Sequence, residues 1–145
     1  MDLSQSTPAL GRSHLLVRAG EQVCALPVAA VRRVVRALSV HPLPGARPEL
    51  AGLAEFAGEA LAVLDLSRLL GAPLGPHPAF PVTVVVWAGP LERREAVGLA
   101  ADEALEVVLI DDAAVVPGAG FLRGDAMVGA RLVRVLDLER LGEDA

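Results

Sequence analysis

Val63-Leu64-Asp65-Leu66-Ser67-Arg68-Leu69 recurs as Val135-Leu136-Asp137-Leu138-Glu139-Arg140-Leu141, identical at six of seven positions and 72 residues further on, half of the 145-residue chain. Each copy is a short apolar run that ends on Asp and continues as Leu-x-Arg-Leu, the pattern of a strand delivering a capped helical turn. Gly52 and Gly124 share the offset of 72, and at a similar offset of 74 the stretch 23–35 lies on 97–109, keeping Val23 with Val97, Ala30 with Ala104 and Val34 with Val108. Two segments in the same order at nearly the same offset predict two similar supersecondary units.

Outward from the repeat the local patterns are mostly β. Residues 14–18 and 22–27 are short apolar runs around Ala19-Gly20-Glu21, which reads as a hairpin, and Pro27 should end its second strand. The stretch 31–36 fits either a strand or a helical turn, and three prolines and a glycine make 41–48 a crossing loop. A strand is expected over 61–66, with Asp65 or Ser67 capping a helix over 67–70 that Gly71 stops. A Pro/Gly-rich loop over 72–81 separates the halves. Beyond it, β-branched 82–88 is the clearest buried strand. Strands follow over 97–100 and 105–110 with a bend at Asp102-Glu103, then a loop over 111–120, a strand over 131–136 and a terminal helix over 138–141. Short strands at this spacing indicate an all-β barrel or sandwich class.

Composition bounds what such a fold can do. The chain is 53% hydrophobic but 3% aromatic and has no Tyr, so its core must come from 25 Ala, 24 Leu and 20 Val. That excludes intrinsic disorder. The longest uncharged stretch, 69–91, is cut by five prolines and three glycines, which argues against a membrane span. Residues 1–12 lack the basic start and apolar run of a secretory signal. All 13 basic residues are Arg, the net charge is −5, and no basic stripe forms, so nucleic acid is not the expected partner. A single cysteine, Cys24, fits a reducing compartment.

Candidate chemistry is sparse. His14, His41 and His77 show no ligand spacing, so no metal is expected. Cys24 sits in an apolar run and reads as a small buried hydrophobe. Gly118-Ala119-Gly120 lacks the third glycine of a phosphate cradle and reads as a turn. Asp65 and Asp137 read as helix caps rather than a catalytic pair. Arg32, Arg33 and Arg36 crowd one segment, as a solvated face or a protein-docking surface.

The ordered pattern resembles the CheW-like family, adaptors of bacterial chemosensory arrays, from about His14 to Leu141. The family's opening strand pair is matched by 14–28, its Val-x-Glu-Ile step by Val31-Arg32-Arg33-Val34 and its Pro-loop by Leu43-Pro44. Its Gly-hydrophobic-x-Asn-Leu-Arg-Gly signature and following Pro-Val-Ile-Asp-Leu correspond to 52–58 and Ala62-Val63-Leu64-Asp65-Leu66. In the second half, 97–107 and 132–141 resemble the family's Gly-Leu-x-Val-Asp segment and its terminal Leu-Leu-Asp-Leu.

The resemblance implies an all-β, CheW-like fold of two small five-stranded β-barrel subdomains packed around a shared hydrophobic core. It divides the chain into a tail over 1–13, the domain over 14–141 with a pseudo-repeat offset of about 72, and a tail over 142–145. It implies no catalysis and no cofactor. The implied partners are the cytoplasmic tips of methyl-accepting chemoreceptors and a histidine kinase regulatory domain of the same fold, met in the cytoplasm at receptor arrays without direct membrane insertion. The candidate partner surface is Val31, Arg33, Gly52, Glu55, Phe56, Ala57 and Gly58, with Val31 and Gly52 at family positions linked to receptor docking. The chain departs from the family where Arg33 replaces the acidic residue, Glu55 the Asn, Phe56 the Leu and Ala57 the Arg. The pair that the family's Glu and Arg form is expected here with reversed polarity, as Arg33 with Glu55. In an extended strand Glu55 and Ala57 would share a face. The alternatives are a homologue that has lost receptor or kinase coupling and binds another regulatory protein, and a small-ligand-binding barrel or hydrolase.

Overall fold

The computed structural model describes residues 11–72 and 81–141. Eleven strands follow in chain order: β1 (Arg12–Ala19), β2 (Gln22–Pro27), β3 (Val31–Arg36), β4 (Leu50–Phe56), β5 (Glu59–Asp65), β6 (Val82–Ala88), β7 (Glu95–Ala101), β8 (Glu103–Ile110), β9 (Val116–Pro117), β10 (Leu122–Val128) and β11 (Arg131–Leu136). One four-residue helix, α1 (Leu66–Leu69), follows β5. The first sheet runs β8-β1-β2-β11-β10-β9 and the second β3-β6-β7-β5-β4. The chain opens in the first sheet, builds all of the second and returns to complete the first, so the sheets interlock.

Each sheet curls on itself. Val35 of β3 and Ala54 and Phe56 of β4, at opposite edges of the second sheet, join one apolar cluster. In the first sheet Ile110 and Val108 of the edge strand β8 share a cluster with Ala126 of β10, the strand next to the opposite edge. A third cluster joins the sheets: Val17, Cys24, Leu26 and Leu136 from one side meet Val84, Val86, Leu99 and Leu66 from the other. The fold is therefore all-β, with two small barrel-like subdomains around a shared core of Val, Leu and Ala, as the composition required.

The repeat has a structural counterpart. Hairpins β4–β5 and β10–β11 each carry a bulge at the shared glycine, between Leu50 and Gly52 and between Leu122 and Gly124. Both glycines hold positive φ, 151° and 157°. A Cβ on Gly52 would overlap the His41 carbonyl, and one on Gly124 the Val116 carbonyl, because a passing backbone bridges the hairpin at each place. Only glycine allows that approach. Each hairpin then adds a parallel strand, Ala62 facing Val97 and Arg134 facing Cys24.

These registers correct one offset. Ala62 and Arg134 are 72 apart, whereas Cys24 and Val97 are 73 apart rather than the 74 read from identities. The shift matters because one residue of slip turns a strand over. At 73, Leu26 matches Leu99, and both are fully buried in the shared core.

Two strands, β4 and β10, were not anticipated. Sequences LAGLAEF and LRGDAMV carry their glycine mid-strand, which lowers strand propensity and hides the bulge. The stretch 31–36 is a strand. The expected helix over 138–141 is a turn: Leu70 N donates to Leu66 O, closing a helical i−4 bond, whereas among the described residues the second copy makes i−3 bonds, Arg140 N to Asp137 O and Leu141 N to Leu138 O. The loop over 111–120 contains a 3-10 turn, Asp112–Ala114, and the two-residue β9. Gly118-Ala119-Gly120 closes the β9–β10 connection, with Gly118 N donating to Arg123 O. His77 and most of the 72–81 loop lie outside the described residues.

Candidate functional site

The seven candidate residues all belong to the second sheet. Val31, half-buried, opens β3 and packs on the shared core; Arg33, exposed, follows it. Gly52 is buried at its bulge. Glu55 is exposed near the end of β4, Phe56 is half-buried at its last position, and Ala57-Gly58 form the turn into β5. The structure thus brings Glu55, Phe56, Ala57 and Gly58 together on one hairpin tip, with Gly52 further along the same strand beneath His41.

Two expectations fail at this tip. Among the described residues no ion pair joins Arg33 to Glu55. The β3 bulge is the reason: Val31 faces Val86 and Arg33 faces Val85, so Arg32 is the extra residue. It is Arg32 that reaches the hairpin, its guanidinium 5.6 Å from the centroid of Phe56 and 4.5 Å from that of Trp87. Ala57, in turn, is not extended. Its φ of 53°, followed by 82° at Gly58, makes a two-residue type I′ turn, which suits the twist of the hairpin.

Sequence reasoning missed Trp87 and Arg94. Trp87 is the only Trp and ends the Val run of β6, half-exposed where its neighbours are buried. The Arg94 guanidinium lies 4.8 Å from the same ring. The signal available in the sequence was a large aromatic closing a β-branched run in a chain almost devoid of aromatics. Its two stacked arginines come from the β3 bulge and from the turn leading into β7, which local pattern does not reveal.

Trp87 separates two hollows. One, of about 310 Å³, lies toward the hairpin and is walled by Arg32, Phe56, Glu59 and Glu95. The other, a groove of about 330 Å³, lies in the seam between the sheets. The first sheet gives it Arg12, Arg123 and Leu136, the second Trp87, Leu91 and Arg94; Pro27, Ala29 and Ala30 of the connection from β2 to β3 form a wall. Val31 directly follows that wall, which links the candidate residues to the seam.

The seam's charged wall is organised around Asp112. Arg123 hydrogen-bonds its carboxylate and Arg12 stands 3.6 Å away, which together hold the carboxyl below its usual range. Next to this group His14 is buried, with Nδ1 2.9 Å from Arg12 O. A carbonyl can only accept, so Nδ1 carries the proton, and Nε2 is left without a hydrogen-bond partner. Burial lowers the His14 pKa most, and the nearby arginines add to the effect. Cys24 is fully buried, and burial pushes its thiol up to about 12, the state of an inert core residue.

The repeated aspartates do the same structural work twice. Asp65 Oδ1 accepts from Ser67 N and Asp137 Oδ1 from Glu139 N, each at 3.1 Å. Arg68 and Arg140 sit 3.6 and 3.4 Å from these carboxylates and donate to the Pro48 and Gly120 carbonyls. Among the described residues no three His, Cys, Asp or Glu side chains come together as a metal site, and no helix is long and apolar enough to cross a membrane.

Two interlocked, pseudo-symmetric β subdomains with a groove along their seam define a class of protein built around surface and seam. The CheW-like domain family model matches residues 13–145, and the chain belongs to that family. Among solved structures it is similar to the scaffolding protein TtCheW from Thermoanaerobacter tengcongensis, at 20% identity and a TM-score of 0.72 over 87% of this chain and 88% of that one, a likeness of fold. Comparison with curated proteins gives no significant match.

Proposed function

We propose that this chain is a non-catalytic coupling adaptor of a bacterial chemosensory array. It holds the cytoplasmic tips of methyl-accepting chemoreceptors and the same-fold regulatory domain of a histidine kinase, works in the cytoplasm at the array, and needs no cofactor. Residues 14–141 are the working unit, flanked by tails over 1–13 and 142–145. Val31, Arg33, Gly52, Glu55, Phe56, Ala57 and Gly58 contribute the partner surface.

The observation that carries this reading is the seam groove, lined from both subdomains and walled by Ala30 just before Val31, in a member of the CheW-like family. A groove of mixed apolar and charged lining between two rigid sheets suits a protein segment that must sense both halves at once. The aspartates and the cysteine support a non-catalytic role, since capping and burial already account for them.

The test is co-sedimentation of the purified chain with receptor cytoplasmic fragments and kinase from the same organism. The kinase should enter the receptor pellet only when the adaptor is added. Binding to neither partner would overturn the array role and leave the fold untouched. A rise in melting temperature with any member of a metabolite panel would instead favour a small-ligand site.

A further inference from the structure

Seven of the thirteen arginines form ion pairs with carboxylates. Among the described residues the other six, Arg32, Arg33, Arg36, Arg93, Arg94 and Arg131, form none. Three of these six, Arg32 near the start of β3 and Arg93 and Arg94 in the turn leading into β7, lie at the Trp87 end of the second sheet, in a chain whose net charge is −5; Arg33 faces Val85 in mid-strand and Arg36 faces Val82 at the far end. Around Trp87, none of the arginines is neutralised by a carboxylate among the described residues.

Two of these arginines are held in position. The β3 bulge delivers Arg32 to the Trp87 ring, and Arg94 reaches the same ring from the other side of β6 in sequence. A bulge that re-aims a side chain is a built feature rather than a defect. A guanidinium packed on an aromatic ring stays charged and loses side-chain freedom, while its N–H donors remain free in their own plane. Two guanidiniums fixed this way are prepared for the bidentate geometry that carboxylates offer. Beside them the half-buried Phe56 and the hollow of about 310 Å³ offer apolar contact.

We propose that Trp87, with Arg32 and Arg94 stacked on it, is an anchor for an acidic segment of a partner protein. The guanidiniums take its carboxylates, and the hollow beside Phe56 takes a neighbouring apolar side chain. Glu59 and Glu95 on the wall of that hollow select against diffuse polyanions, because they repel any charge not placed on the guanidiniums. A protein segment, with carboxylates at fixed spacing, meets that condition better than a nucleic acid backbone or an anionic membrane. The inference rests on the adaptor reading only for which partner supplies the segment.

Trp87 is its own probe, being the only Trp in a chain without Tyr. The intact chain is titrated with a synthetic amphipathic helical peptide bearing Glu and Leu on one face, with its Gln-for-Glu counterpart, with polyphosphate and with phosphatidylglycerol vesicles. The Glu peptide should change Trp87 emission saturably, and more weakly as salt rises. The Gln peptide should bind at least tenfold more weakly, and so should the Glu peptide to the R32Q/R94Q double variant. Circular dichroism checks that this surface variant stays folded. No response to the Glu peptide, an equal response to the Gln peptide, or a stronger one to polyphosphate or vesicles overturns the proposal. Receptor fragment and kinase domain are then titrated in the same way. If they bind without moving Trp87 emission and equally well to the double variant, the anchor fails while the adaptor reading stands. If neither binds but the peptide does, the reading fails and the anchor stands.

Discussion

Where the first sheet shows solvent an opposed apolar pair, Met127 and Leu132 at 59% and 57% exposure, the second sheet carries Glu55 and Ala60 at the same places in its hairpin. The outer strands differ as sharply. Superimposed at an offset of 73, β3 presents Arg32, Arg33, Val34 and Arg36 where β8 presents Leu105, Glu106, Val107 and Leu109. Buried positions, by contrast, keep their type: Leu26 with Leu99, Val63 with Val135, Gly52 with Gly124. The frame is thus fixed by what cannot change without steric or burial cost, while each half's surface is free to specialise. The outer strand of the second sheet is cationic; that of the first is apolar, with Glu103 and Glu106 among its residues.

The hardest blow to that comparison falls on the bulges. Gly52→Ala and Gly124→Ala each force a Cβ into a backbone carbonyl at a φ that Ala resists. Each should cost about 3 kcal/mol, measured by chemical denaturation. Similar losses support one frame used twice. A tolerated substitution at one site would show that its bulge can relax, and the equivalence would end there.

The two aspartate caps should part company. Asp65 is buried beside α1, whereas Asp137 is half-buried at a turn. Asp65→Ala removes a buried cap and the carboxylate beside Arg68, for a loss of about 2 kcal/mol; Asp137→Ala should lose about 1 kcal/mol or less. Equal losses would mean that the short helix adds nothing to the cap.

The hairpin turns offer a gain. Ala57 holds a left-handed conformation that Asn adopts readily, and Asn-Gly is the preferred type I′ pair. Ala57→Asn should stabilise the chain by about 1 kcal/mol in thermal unfolding. The counterpart turn already has a glycine at this position, Gly129 with φ 63°, so Gly129→Ala should lose about as much.

The sequence made legible the parts of this frame with a local cause. The Val run of β6, the Pro27 stop of β2 and the repeated Asp caps each follow from neighbours within a few residues, and the structure has them all. Strands β4 and β10 were hidden because their glycines answer to a crossing backbone, at His41 and Val116, rather than to strand propensity. At the candidate site the sequence offered a region and not a set of contacts. Family signature positions pointed to the β4–β5 hairpin, but a bulge of one residue decided that Arg32, not Arg33, reaches it. Trp87 and Arg94 come together only through the pairing of β6 with β7, which no periodicity announces.

His14 and Thr83 are the smallest and most discriminating contrast. At the offset of 69 that relates β1 to β6, they occupy the same place in the two sheets. Both are fully buried, and His14 Nε2 and Thr83 Oγ1 both lack hydrogen-bond partners among the described residues. Only the histidine titrates near neutrality. The charged groups around it are Arg123 on β10, Arg12 on β1 and Asp112 in the 3-10 turn, and with burial dominant its pKa lies below the ordinary 6.5. Above pH 7 the imidazole is neutral folded and unfolded, so stability is complete. As pH falls through 6.5 the unfolded chain takes the proton first, and stability declines until the native group also titrates. Even a native imidazole that took no proton would cost only about 0.8 kcal/mol at pH 6, so the effect is small but has its own window. Asp112, held low by Arg123, loses its contribution further down, as pH falls below its ordinary 3.8. His14→Thr, which gives the first sheet the residue of the second, should therefore flatten the stability profile between pH 5 and 7 and leave the acid limb in place. A decline that survives the substitution would place the titrating group elsewhere in the first sheet, and the contrast between the two buried positions would lose its electrostatic meaning.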